Sequence, residues 1–176
     1  MHAENPTFGR SRRVGAVIAL AALTLLAPAS FAQTPQADEA PHPVHIHSGT
    51  CAELGDVVVP LADVAAPAEE KLEGPATAHE VKVSQTIVDM PLQEIIDGGH
   101  AVNAHLSAEE IDVYIACGDV GGEVITDPSG RTELFFGLNE ANDSGHTGVV
   151  RMGVGDDPNT TEIAVMLIEP EEMQAQ

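Results

Sequence analysis

The stretch HPVHIHSGTC, residues 42–51, decides how the rest of the chain is read. It places His42, His45 and His47 within six residues and ends on Cys51, one of only 2 cysteines. Val44 and Ile46 alternate with His45 and His47, so an extended segment sends two apolar side chains to one face and two imidazoles to the other. The apolar face asks to be buried; the other presents a ready pair of metal ligands. Imidazole nitrogens suit copper, zinc, nickel and iron alike, so this spacing leaves the metal open. Solvated histidines on an edge strand are the plainer alternative, and distant His105 is the residue that weighs against it.

Upstream, residues 1–32 read as a signal peptide. Arg10, Arg12 and Arg13 precede an apolar run over residues 14–27, and Ser30-Phe31-Ala32 supplies the small residues that a signal peptidase reads. The run is short and Ala-rich, so export and cleavage are expected rather than a membrane anchor, with a periplasmic or extracellular destination. The paired arginines of SRRVG are compatible with twin-arginine export. Residues 33–43, rich in Pro, Ala and acids, read as a flexible lead-in. Residues 44–170 then form a single domain, followed by a tail over 171–176.

Charge narrows the partners. The whole chain carries a net charge of -21, and of its 7 basic residues only Lys71, Lys82, Arg131 and Arg151 follow the cleavage point. With 27 of the 28 acidic residues remaining, the exported chain has a net charge of -23. Nothing is available to neutralise phosphates, which excludes nucleic acid and anionic membrane surfaces after signal cleavage and leaves a metal ion or a small anion as partner. Trp is absent and aromatic residues are scarce, so the core must be built from Val, Ile, Leu and Ala. Two cysteines in an exported chain point to a Cys51 to Cys117 disulfide, whose long loop closure is worth about 4 kcal/mol. Metal binding by both thiols is the alternative, although neither has a second Cys or a His within three residues.

The remaining pattern is one of short strands. Residues 55–61 (GDVVVPL), 81–88 (VKVSQTIV), 100–106, 111–117, 122–126, 132–138, 149–154 and 161–168 alternate or run apolar, with turn signals at DPSG, NDSG and DDPN. Residues 91–97 open on Pro and stop before Gly98-Gly99, as a short helix does, and Ser107 with Glu110 has the spacing of a capping box. Residues 62–79 read as an acidic loop. In the strand over 111–117, Ile111, Val113 and Ile115 share parity with Cys117 and are expected to face the core. The chain is therefore expected to be all-β, an antiparallel Greek-key barrel or sandwich of about eight strands with one or two short helical turns.

HPVHIHSGTC, AVNAH (101–105) and YIACGDVGG (114–122), in that order, resemble the copper half of the copper/zinc superoxide dismutases. In that family a His-x-His strand, a later strand ending in a lone His and an Ala-Cys-Gly close the site. The resemblance implies copper on His45, His47 and His105, a disulfide between Cys51 and Cys117, and a structural role for His42. His79, His100 and His146, with His42, are the weaker candidates for a further ligand. His146 sits in the turn DSGHTG, where a solvated loop residue is expected; His100 falls on the opposite face from His105 unless the strand bends.

Three departures shape the expectation. The family's zinc loop holds several histidines and an Asp, whereas this interval offers only His79, so copper without zinc is expected. Tyr114 stands three residues before the second cysteine, where the family has the Arg that draws superoxide to the metal. The family also has about three strands ahead of its His-x-His, whereas this chain has about fifty residues after Cys117, as a circular permutation would leave with residues 132–170 filling that space. The expected function is copper binding with superoxide dismutation, the alternatives being a copper carrier or buffer without catalysis and a structural β-domain that binds no metal.

Overall fold

Side-chain alternation sets the strands. In a computed structural model that describes residues 40–66, 81–126 and 128–170, the elements run β1 (Val44–Thr50), β2 (Glu53–Pro60), β3 (Val81–Val88), α1 (Leu92–Asp97), β4 (His100–His105), β5 (Tyr114–Asp119), β6 (Val124–Thr126), β7 (Thr132–Glu140), β8 (Thr147–Val154) and β9 (Thr161–Ile168). The signal segment, the acidic loop around His79 and the C-terminal tail lie outside the described residues.

The named strands pair antiparallel in the order β2-β1-β4-β5-β7-β8-β9-β3, with β6 against β7. The chain thus leaves β2 for the far end of the curled sheet, builds β3 there, and returns to lay β4 beside β1. Two further bridges draw the ends together: Val64 pairs with His42 ahead of β1, and Ala65 pairs with Val83 of β3. His42 and Pro43, read from sequence as the end of a flexible lead-in, are buried in this seam. The result is the all-β barrel expected.

Inside, Val44 and Ile46 of β1 meet Ala104 and Val102 of β4 as directly opposed pairs, and all four are fully buried. Leu134, Val150, Met152, Ile163, Val165 and Leu167 continue this aliphatic interior, and Leu92 and Ile95 of α1 pack on it. At about 25 cal/mol per Å² of apolar surface, each fully buried Val or Ile contributes ~2 kcal/mol. No aromatic side chain is among these fully buried residues.

Two expectations need correction. The strand read over 111–117 begins only at Tyr114, and Ile111 and Val113 are each 38% exposed in the preceding turn. A register shift between Ala104 and His105 breaks the alternation there. Cys117 stands directly opposite Asn103, which shares His45's face and not the core face. The turn after β4 does form the Ser107 cap, with the Glu110 N–H donating to Ser107 Oγ at 3.1 Å, but it remains a turn.

Candidate metal centre

Because Val44 and Ile46 take the core, His45 and His47 stand on the outer face of the same wall. β4 lies alongside, with Asn103 opposite His45 and the small Ala101 opposite His47. Alternation along β4 puts His105 on the same face as Asn103, and the register shift beside it sets Tyr114 opposite His105. The ring centroids are 4.8 Å apart for His45 and His105, 5.8 Å for His45 and His47, and 6.1 Å for His47 and His105. One nitrogen from each ring lies within 4.8 Å of those of the other two.

Backbone carbonyls fix which nitrogens face inward. A ring nitrogen against a carbonyl oxygen must carry the proton. His47 Nδ1–H donates to Gly55 O at 3.0 Å, and His105 Nδ1–H donates to Ile111 O. Both rings therefore keep an unprotonated Nε2, that of His105 lying toward His45, the arrangement by which outer carbonyls orient metal-binding imidazoles. His47 Nε2 is buried and has no hydrogen-bond partner. His45 Nδ1–H donates to His105 Nε2 at 3.0 Å, so these two rings meet at hydrogen-bond distance. A donor set of three imidazoles with an orphaned buried nitrogen fits a metal ion.

Glycine makes the approach of β2 possible. At Gly49 φ is +86° and a Cβ would stand 2.4 Å from Glu53 O, so only glycine closes this hairpin. At Gly55 a Cβ would stand 2.4 Å from Ser48 Oγ, and it is Gly55's carbonyl that holds His47. The Cys51 to Cys117 disulfide spans 66 residues, and the Cys51 N–H donates to Asp119 Oδ1 at 2.6 Å. Hairpin and β5 are thus pinned on either side of β4. Both cysteines are consumed in this bond, which removes thiolate ligation.

The electrostatics favour the neutral form of His45 and His105. Burial lowers the pKa of His45, and neighbouring His47 lowers it further against an opposing pull from Asp63. Burial likewise lowers that of His105, with the Ile111 carbonyl and Asp112 acting in the other direction and the two histidines adding to the fall. Neutral rings are the metal-competent form. Tyr114 packs edge-on to His105 at 5.2 Å between centroids.

The weaker candidates go elsewhere. His100 Nδ1–H donates to Ile95 O at 2.9 Å, tying the start of β4 to α1. His79 lies outside the described residues. His42 and His146 are buried and meet Glu169 in a second group, so His146 is not a solvated loop residue. His42 Nδ1–H donates to Leu106 O at 2.7 Å, and its Nε2 accepts from Lys82 Nζ at 3.0 Å. Glu169 Oε1 lies 3.3 Å from His42 Nε2 and 3.5 Å from Lys82 Nζ, while Oε2 lies 3.3 Å from His146 Nε2. The Lys82 ammonium, 1% exposed, sits against three acceptors, the third being Ala40 O at 3.0 Å, and holds the place of a metal cation. Burial alone would raise the Glu169 carboxyl, but the contacts from His146 and His42 and the charge of Lys82 outweigh it and pull it down to about 2.

Sequence reasoning did not find Lys82 or Glu169. Lys82 looks like a surface residue between valines, yet β3 turns Lys82, Ser84 and Val88 inward and leaves Val81, Val83 and Ile87 exposed. The one available signal was Glu169 directly after an apolar strand that is otherwise free of inward charge. Among the described residues no helix is long and apolar enough to cross a membrane. The disulfide belongs to an oxidising, non-cytoplasmic setting. No family model matches the chain, and no curated protein or solved structure matches it either.

Proposed function

We propose that this chain is an exported copper-binding protein whose site follows the copper half of the copper/zinc superoxide dismutases in circularly permuted order. The observation that carries the reading is the buried, unpartnered Nε2 of His47 facing His45 and His105, with carbonyls orienting two of the three rings. Copper(II) binds nitrogen donors more tightly than the other common divalent ions, which favours it over zinc here. Support for the permutation comes from the last strands: β7, β8 and β9 lie between β5 and β3 in the same sheet as the histidine strand.

Bound copper would supply one-electron chemistry, 2 O2•− + 2 H+ → O2 + H2O2, half in each direction of its redox cycle. The chain's own residues orient His47 and His105 through backbone carbonyls and favour the neutral form of His45 and His105.

A second reading, a copper carrier or buffer without rapid dismutation, is favoured by the charges. Tyr114 lies against His105, and Asp63 and Asp112 act on the centre. Lys82 is engaged with Glu169, Arg131 with Glu162 and Arg151 with Glu133. Such a field draws a cation and repels an anion.

The test is to express the full chain, recover it from the exported fraction, titrate Cu(II), and measure stoichiometry and superoxide consumption on one sample. One tightly bound equivalent is expected; less than half an equivalent overturns the copper reading. Tight copper without superoxide consumption leaves the carrier. Affinity is expected to fall as the pH drops below about 6, where protons compete for the rings.

A further inference from the structure

Three imidazoles leave the centre short of a fourth donor, and a side chain already stands there. Asn103 lies between His45 and Cys117 on β4, directly opposite each, and so shares the face of His45. It is 0% exposed. Its Oδ1 has no hydrogen-bond partner, and its Nδ2 lies 3.4 Å from His105 Nε2, the nitrogen that faces the centre. That separation is long for a hydrogen bond. A buried amide oxygen without a partner is costly, and the structure offers it no protein donor.

We infer that Asn103 is the fourth donor of this centre, its amide oxygen turning to the metal when the ion enters. This rests on the copper-site reading above. Rotation of the amide by half a turn exchanges its two ends and brings the oxygen to the position 3.4 Å from His105 Nε2. Bonds of about 2.0–2.2 Å to a common ion place neighbouring donors roughly 3–3.5 Å apart, which that position satisfies. The same rotation relieves the orphaned oxygen. A neutral carbonyl-type oxygen is a hard donor that favours Cu(II) over Cu(I), so Asn103 would bias the centre toward its oxidised state.

The experiment uses the full exported chain and copper ions alone, comparing wild type with Asn103→Leu and Asn103→Asp. Cu(II) and Cu(I) affinities are measured by competition, and the Cu(II) environment by electron paramagnetic resonance. Asn103→Leu should weaken Cu(II) by roughly tenfold or more, leave Cu(I) within about twofold and shift the Cu(II) spectrum. Asn103→Asp keeps an oxygen donor and should bind Cu(II) at least as tightly as wild type, with a larger preference over Cu(I). A Leu variant with unchanged spectrum and affinity overturns the inference while the three-histidine site stands. Should the Leu variant fail to fold, an Asp variant with an unaltered Cu(II) over Cu(I) preference overturns it equally. A wild type that binds no copper refutes the site reading itself.

Discussion

Replacing Lys82 with methionine tests whether the second histidine group is held together by its internal cation. Methionine keeps most of the apolar stem and removes the ammonium, so the loss is chiefly electrostatic. With Nζ 3.5 Å from Glu169 Oε1, Coulomb's law at an effective dielectric constant of about 20 gives an attraction of about 5 kcal/mol. Breaking a buried ion pair from one side typically costs 3–5 kcal/mol, because the remaining charge stays buried. Lys82→Met should therefore lose ~3–5 kcal/mol in urea unfolding at pH 8. Zinc added in excess should bind the variant at the vacated group, giving one more equivalent than wild type. At a hundredfold excess over its Kd, it should restore about 2.7 kcal/mol. A loss under about 1 kcal/mol, or no extra zinc equivalent on the variant, would refute the idea that this ammonium substitutes for a metal.

Three other outcomes are expected. Cys51→Ser with Cys117→Ser should lower stability by about 4 kcal/mol, the loop-closure value for 66 residues, read from urea midpoints. For Glu169 the folded pKa of about 2 lies below the ordinary 4.5, so its stabilisation is complete above about pH 4.5 and is lost as the pH falls toward 2. Roughly 3 kcal/mol should disappear across that window in wild type, and Glu169→Gln should flatten the profile. Gly55→Ala sets a Cβ 2.4 Å from Ser48 Oγ and 3.1 Å from Ser48 O, which moves the carbonyl that orients His47. Copper affinity should fall roughly tenfold in a competition titration while the fold survives by circular dichroism.

Strands bounded by strong turn residues were legible in the sequence: β3 and β9 run over the residues their alternation predicts. The pairing of His45 and His47 was legible for the same reason, since a strand has only two faces. β5 was not, because the register shift at His105 turns the apolar Ile111 and Val113 into a turn whose backbone carbonyl serves His105. The inward parity of β3 was also hidden. Three outward apolar residues outweigh one lysine in any local reading, and the partner that draws Lys82 inside lies far away, at the end of β9. Alternation along β4 puts Asn103 on the face of His105, yet only its packing shows that its oxygen lacks a donor.

In β1 the core and the metal centre share one strand, back to back. A slip of β1 against β4 by a single residue would exchange the two sets, thrusting imidazoles among Val102 and Ala104 and setting Val44 and Ile46 beside Asn103 and His105. The sheet has no halfway solution, so assembling the ligands and completing the hydrophobic interior are one event during folding. Under the proposed copper reading, copper uptake by a refolding sample would therefore report correct strand alignment, switching on only in molecules that have aligned β1 with β4.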